Sequence, residues 1–347
     1  MTNNQLVMER RYDIDWVRVI AIGLLIIYHS AISFQPWGAM LAFITNKEPW
    51  AGLWFPMALL NIWRIPLLFF VSGMGVYFAM RSRSPLQLIG ERARRILVPY
   101  VFGIFFIVPI QLGIWRYYNG MQLFYVYDPN HLWFLGNIMA YVVIWVGVFF
   151  YINKNGDLVR RIFSTPIGVL VVVAALVGEA VIVKPYPYEL YAMTWHGFIL
   201  GMIAFFFGYC IAFTGKPFWE MITKWWWLVV IAVATLATFR LAGKSHVWLT
   251  PVESVGWILL VLIAGYRFLN RPGKALSYLS EAAYPVYVMH MIFQNLGGSL
   301  IFPLEIPVQL KYFLLVGFTL GGCLLVYEFI VRRTTVTRFL FGLKGKK

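Results

Sequence analysis

The chain has little charge, few cysteines and few acidic residues. Only 12% of its 347 residues are charged and 61% are hydrophobic, whereas soluble domains carry about 25% charged residues. The two cysteines, Cys210 and Cys323, lie in apolar runs without a CxxC pair or a Cys/His cluster, which excludes a disulfide framework and a recognisable zinc motif. This composition predicts a polytopic membrane protein.

Motifs for nucleotide and metal chemistry are also missing. No P-loop, GxGxxG, HExxH or GxSxG motif stands in a fitting context, so ATP-driven transport and zinc hydrolysis have no support. The net charge of +15 does not indicate nucleic-acid binding, because the basic residues stand between apolar runs rather than along one face. We therefore expect no metal site, no bound cofactor and no nucleic-acid partner.

What the sequence does contain is a series of long apolar runs. A bilayer crossing needs about 20 helical residues, and about ten runs meet that length, which predicts an all-α fold of about ten transmembrane helices. The predicted spans are residues 16–35, 60–80, 96–115, 132–151, 166–183, 196–213, 225–241, 251–268, 282–302 and 311–331.

The basic residues predict the orientation of these spans. If the N-terminus is cytoplasmic, 22 of the 29 Lys and Arg residues fall on the inner side, as the positive-inside rule requires. Both termini are then cytoplasmic. The predicted organisation is a cytoplasmic segment over residues 1–15, one ten-helix membrane domain over 16–331 and a basic cytoplasmic tail over 332–347.

The first span contains the strongest candidate for a functional site. Arg18 and His29 are eleven residues apart, which is about three helical turns, so they share one helix face with roughly 16 Å of rise between them. Ionisable groups inside a span usually face a partner or a cavity. His29 is a candidate general base or an interfacial hydrogen-bonding residue. Arg18 is a candidate clamp for a phosphate or carboxylate, or an inner-side anchor paired with Asp15.

Three further residues are candidates. Arg64 precedes a proline at the head of the second span, where it either lines a site or reaches to the interface. His131 opens the fourth span in a His-Leu-Trp-Phe-Leu stretch, as an aromatic-belt anchor or as part of a pocket mouth. His290 lies about eight residues into the ninth span, and a second intramembrane histidine favours a polar cavity.

These motifs together resemble the acyltransferase 3 family of bacterial integral-membrane enzymes. The resemblance rests on Arg18 and His29, the Arg-x-Pro-Leu-x-Phe-Phe-x-Ser-Gly stretch from Arg64, the His131 stretch, and a Tyr-Pro-x-Tyr-x-x-His run that ends at His290. It extends over residues 12–333 and is closest to the branch that contains a glucan succinyltransferase.

The resemblance implies an activity and a location. It implies transfer of an acetyl or succinyl group from a cytoplasmic donor, acyl-CoA as co-substrate, to a hydroxyl of a periplasmic or cell-envelope glycan. It places the family's functional residues on Arg18, His29, Arg64 and His290, and it implies a multi-pass protein of the bacterial inner membrane. Some members carry an appended periplasmic domain that this sequence lacks, so acceptor recognition would come from outer loops or from partner proteins of envelope glycan biosynthesis.

One alternative remains open from the sequence. A transporter or glycan exporter would also place Arg and His inside the bilayer, as a substrate or proton path. The two functions differ in their product, because only the enzyme leaves a covalent acyl mark on the glycan.

Overall fold

The computed structural model describes residues 11–244 and 246–345, and this part of the chain is helical without a strand. The predicted segment over residues 1–15 therefore lies mostly outside the described residues, as do Lys346 and Lys347 of the predicted tail. The helices are α1 Tyr12–Ile32, α2 Trp54–Met80, α3 Pro85–Tyr118, α4 Asn130–Asn155, α5 Asp157–Phe163, α6 Pro166–Val183, α7 Trp195–Thr214, α8 Lys216–Lys224, α9 Trp226–Leu241, α10 Leu249–Leu269, α11 Lys274–Ile301, α12 Val308–Val331 and α13 Thr335–Leu340.

Each of the ten predicted spans overlaps one of these helices, but fewer are apolar enough to count as crossings. Among the described residues, eight helices are long and apolar enough, or nine if α8 and α9, which meet at a 63° bend, form one broken span. Helix α11 is not among them, although it has 28 residues. Its apolarity is lowered by His290, Gln294 and Asn295, which are all buried inside the protein. Ten crossings and two cytoplasmic termini stay predictions.

The tightest helix contact in the bundle is between α2 and α7. A Cβ on Gly73 would come within 1.9 Å of the Phe205 carbonyl oxygen, and one on Gly208 within 2.0 Å of the Phe70 carbonyl oxygen. Small residues that allow such close approach are typical of membrane helix packing. Gly75 on the same helix, by contrast, faces open space.

Pro66, inside α2, leaves one backbone carbonyl oxygen without its helical N–H donor, and two side-chain hydroxyls donate to that oxygen instead. Pro66 has no N–H, so the Ile62 carbonyl loses its helical donor and instead accepts from Tyr191 Oη at 3.0 Å and Ser254 Oγ at 2.8 Å. Tyr191 lies in the loop before α7. Burial raises the pKa of its hydroxyl, so the hydroxyl keeps its proton and can donate it. These bonds hold α2 at Ile62, two residues before Arg64.

We call the end of the bundle with Arg83, Arg92 and Arg95 the inner end, following the predicted orientation. The last helix, α13, folds back there: Phe341 packs edge-on against Phe102 with ring centroids 5.5 Å apart. Gly342 follows at φ +67°, and a Cβ on it would lie 2.4 Å from the Arg95 carbonyl oxygen. The described part of the predicted tail is therefore packed against α3.

Candidate active site

Helices α1 and α11 lie side by side and bring two histidines into direct contact. His29 Nδ1 lies 2.9 Å from His290 Nε2, and one turn away Ser30 Oγ donates to Gln294 Oε1 at 3.0 Å. His290 is fully buried, whereas His29 is half-buried and so retains access to a ligand. The two histidines that the sequence placed in separate spans therefore form one unit.

The hydrogen bonds around this pair determine which nitrogens carry protons. His290 Nδ1 lies 2.7 Å from the Tyr287 carbonyl oxygen, which only accepts, so we assign the His290 proton to Nδ1. Neutral His290 then presents Nε2 as an acceptor, and His29 must donate to it from Nδ1. This assignment leaves His29 Nε2 with a free lone pair, which is the form that a general base requires.

His131, at the start of α4, joins the pair as a third histidine. Its ring centroid lies 5.0 Å from that of His290, nearly perpendicular to it. His131 Nε2 lies 3.1 Å from the Val288 carbonyl oxygen, and Tyr287 Oη donates to the His131 carbonyl. The turn before it is fixed by Asp128 Oδ1, which accepts from the backbone N–H of Asn130 at 2.7 Å.

Arg64 is a buried cation that has no anionic partner in the part of the chain that the structure describes. Its side chain is 3% exposed, its guanidinium carbon lies 3.9 Å from the centre of the Tyr28 ring, and its Nε and Nη1 have no acceptor among residues 11–244 and 246–345. Its charge acts on both His29 and His290. An unpaired buried guanidinium beside a base is suited to an anion or a developing oxyanion.

Arg18 and Asp15 lie apart from the histidines, near the inner end of α1. Arg18 Nη2 and Asp15 Oδ1 form an ion pair at 3.0 Å, and the Arg18 side chain is 45% exposed. Arg18 also interacts electrostatically with Arg92 on α3. The structure thus separates the sequence candidates into a histidine and Arg64 centre and an exposed basic group.

That basic group extends from Arg18 onto α3. The charge of Arg92 interacts with those of Arg18, Arg83 and Arg95, and Glu91 lies between Arg83 at 2.9 Å and Arg95 at 3.2 Å. Arg92 Nη2 donates to the Gly75 carbonyl at 3.0 Å, while its Nε is buried without an acceptor in the described part of the chain. Four arginines against two carboxylates, Glu91 and the Asp15 that pairs with Arg18, leave a surplus of positive charge.

The outer loop after α1 closes over His29. The ring of Phe43 lies edge-on to His29 with centroids 5.5 Å apart. Trp115 Nε1 donates a hydrogen bond to the Phe43 carbonyl oxygen at 3.2 Å. An aromatic cover of this kind lowers the local dielectric and strengthens the electrostatic contacts beneath it.

Two buried carboxylates away from the histidine pair bind basic side chains of neighbouring helices. Glu179 Oε1 lies 2.7 Å from Nδ1 of His196. Arg240 binds Glu253 through two hydrogen bonds of 2.6 and 2.9 Å. These partners come from different helices, so local spacing carries no trace of them. No group of three or more His, Cys, Asp or Glu residues within the described ranges is arranged to hold a metal ion.

Comparisons with known proteins identify one family. The model described as an acyltransferase domain, acyltransferase 3, matches residues 11–328. Similar proteins include two named glucans biosynthesis protein C, from Escherichia coli O157:H7 and Shigella dysenteriae serotype 1 (strain Sd197). Each is 24% identical to this chain, over 382 and 384 residues that cover 98% of the chain and 96% of the relative. No solved structure matches the chain.

Proposed function

This chain belongs to the acyltransferase 3 family and is a membrane acyltransferase, and we propose that it moves an acetyl or succinyl group from cytoplasmic acyl-CoA to a hydroxyl of a periplasmic or cell-envelope glycan. The relatives are named for glucan biosynthesis, which makes a glucan the first acceptor to test. The observation that carries the proposal is the free Nε2 of His29 within the electrostatic influence of Arg64, whose Nε and Nη1 have no acceptor among the described residues. The proposed location is the bacterial inner membrane.

In the proposed reaction His29 acts as the general base. Its Nε2 takes the proton from the acceptor hydroxyl while the hydroxyl oxygen attacks the carbonyl carbon of the thioester. His290 accepts the Nδ1–H of His29 and so holds it in the productive tautomer. The carbon–sulfur bond then breaks, and the proton passes from His29 to the departing CoA sulfur, so that the enzyme returns to its starting state.

Arg64 interacts with the thioester carbonyl, which is the reacting end of the acyl donor. As the hydroxyl adds, negative charge develops on the carbonyl oxygen, and a cation in a water-poor site stabilises that charge strongly. Arg64 has two buried nitrogens without acceptors, so it can donate to this oxygen without first breaking another contact. The same cation would attract the free carboxylate of a succinyl group.

Arg18 binds the opposite end of the donor. CoA carries phosphates, and arginine is the residue best suited to phosphate recognition. The surplus of charge on Arg18, Arg83, Arg92 and Arg95 supports this assignment, with Asp15 as the residue that orients Arg18. The roughly 16 Å of helix rise between Arg18 and His29 suits an extended donor that runs from the inner end to the base.

The test is mass spectrometry of periplasmic and surface glycans. Cells with the intact gene, without it, and with His29→Ala at matched membrane levels are compared, and His246→Ala serves as a control because His246 is an exposed loop residue. We expect one glycan to lose an acyl mass in the deletion and His29→Ala strains and to retain it in the control.

The alternative function predicts a different pattern in the same experiment. If the glycans keep their acyl groups but change in amount or compartment, the chain moves the glycan instead of modifying it. Partner proteins of glycan biosynthesis would then be sought among transport components.

A further inference from the structure

Two buried amides lie on the outer side of the histidine pair. Gln111 on α3 and Asn295 on α11 are each 1% exposed. Gln111 Nε2 donates to Asn130 Oδ1 at 2.7 Å, and Asn295 Nδ2 donates to the Gln111 carbonyl oxygen at 3.1 Å. These bonds connect α3, α4 and α11 next to His131.

The neighbours fix which way both amides point. Asn130 Oδ1 also accepts the backbone N–H of His131 at 2.9 Å, so that atom is an oxygen and Gln111 must face it with its nitrogen. Asn295 faces a backbone carbonyl and must likewise present its nitrogen. Gln111 Oε1 and Asn295 Oδ1 therefore point elsewhere, and no donor in the described chain reaches either buried oxygen.

His131 adds a third atom of the same kind. Its Nε2 faces the Val288 carbonyl and carries the proton, which leaves the buried Nδ1 as an acceptor without a donor among the described residues. The neighbouring Gln294 is different, because its Oε1 accepts from Ser30 and Thr319 and its Nε2 donates to Ser33. Gln111, Asn295 and His131 thus each keep one buried acceptor without a donor among the described residues, whereas Gln294 does not.

Three acceptor-only atoms call for a ligand that supplies several hydrogen-bond donors, since buried polar groups are rarely left unpaired. A sugar has hydroxyl groups that donate in several directions. Gln111 lies seven residues before the outer end of α3, and Asn295 lies five residues beyond His290 towards the outer end of α11, so both amides lie on the side of the histidine pair from which a periplasmic acceptor would arrive. We infer that Gln111, Asn295 and His131 bind hydroxyl groups of the acceptor sugar.

This inference rests on the proposed function, because it places the attacked hydroxyl next to His29. It also predicts that mutations of the two amides affect acceptor binding and leave donor binding unchanged. The amides bind acceptor but do not touch the donor or the transferred proton, so their loss weakens acceptor binding while the donor KM and the rate at saturating acceptor stay the same.

The test uses the purified full chain with glucose oligosaccharides as the probe. Gln111→Met and Asn295→Leu replace each amide by an apolar side chain of similar size, and Thr319→Val is the control because it removes a buried hydroxyl from the saturated part of the cluster. Affinity is measured by isothermal titration, acyl transfer by initial rates with acyl-CoA, and folding by thermal unfolding.

We expect about a tenfold loss of oligosaccharide affinity and about a tenfold rise in acceptor KM for each amide variant. Donor KM should stay at the wild-type value, the unfolding temperature of each amide variant should fall slightly because one buried hydrogen bond is lost, and Thr319→Val should bind oligosaccharide as the wild type does. Unchanged oligosaccharide affinity would assign the three acceptors to ordered water and overturn the inference. A rise in donor KM instead would show that the three acceptor atoms bind amide groups of the donor, and this result would also overturn the inference.

The two proposals fail in distinguishable ways. If the wild type binds oligosaccharide and the amide variants do not, but no acyl group is transferred, the subsite holds and the proposed function is wrong. If the wild type acylates the glycan and the amide variants bind it normally, the function holds and the subsite is wrong.

Discussion

Replacing His290 tests whether the His29 tautomer is set by its neighbour. His290→Leu removes the acceptor that lies 2.9 Å from His29 Nδ1. His29 then loses the hydrogen bond that keeps its proton on Nδ1. The proton can move to Nε2, and that tautomer cannot act as a base through Nε2. Partners that orient a reacting or metal-bound histidine typically contribute 10- to 100-fold, so we expect kcat to fall by about that factor. The His29→Ala change should cost more, about 10²- to 10⁴-fold.

The assay is single-turnover release of CoA thiol by the purified protein in lipid nanodiscs. His290→Gln is the matched variant, because its amide oxygen can still accept from His29 Nδ1, and it should retain more activity than His290→Leu. In the double variant with His29→Ala, the His290 change should add no further loss, since it acts only through His29. A kcat within about twofold of wild type for His290→Leu, or fully additive losses in the double variant, would refute the tautomer argument.

Three other predictions concern the two arginine positions and the helix packing. Arg64→Met should lower transfer by about 10²-fold or more without lowering the unfolding temperature, because it removes an unpaired buried charge; a large loss of stability would contradict this. Arg18→Ala should raise the donor KM by about threefold to tenfold with a weaker dependence on salt, while Lys216→Ala, a surface lysine paired with Glu220, should not. Gly73→Ala should destabilise the protein by about 1–3 kcal/mol in thermal unfolding, because its Cβ would meet a backbone carbonyl of α7, whereas Gly75→Ala should be neutral.

Local patterns in the sequence predicted the features that depend on residue spacing. Apolar runs placed the helices, and helical periodicity placed Arg18 and His29 on one face of α1. The polar helix α11 was also predicted, although it is less apolar than its neighbours. Its start, however, lies at Lys274 rather than near residue 282, because Leu276 is buried and the half-buried Tyr278 packs against the core.

Contacts between helices could not be predicted in the same way. His29 pairs with His290 across 261 positions and His131 meets Val288 across 157, and no local spacing encodes such a partner. Gln111 and Asn295 were missed for this reason, because a single amide in an apolar run gives no signal until its neighbours are known. Arg92 was also missed as an individual residue within a run of basic side chains.

The most direct test of the account is acyl transfer by the purified protein with a ¹³C-labelled acyl-CoA and a glucan oligosaccharide, read by mass spectrometry of the oligosaccharide. We expect wild-type protein to attach the labelled acyl group to a sugar hydroxyl. The His29→Ala variant should bind the donor as well as the wild type but should not transfer the label. Equal labelling by His29→Ala would contradict the assignment of His29 as the base.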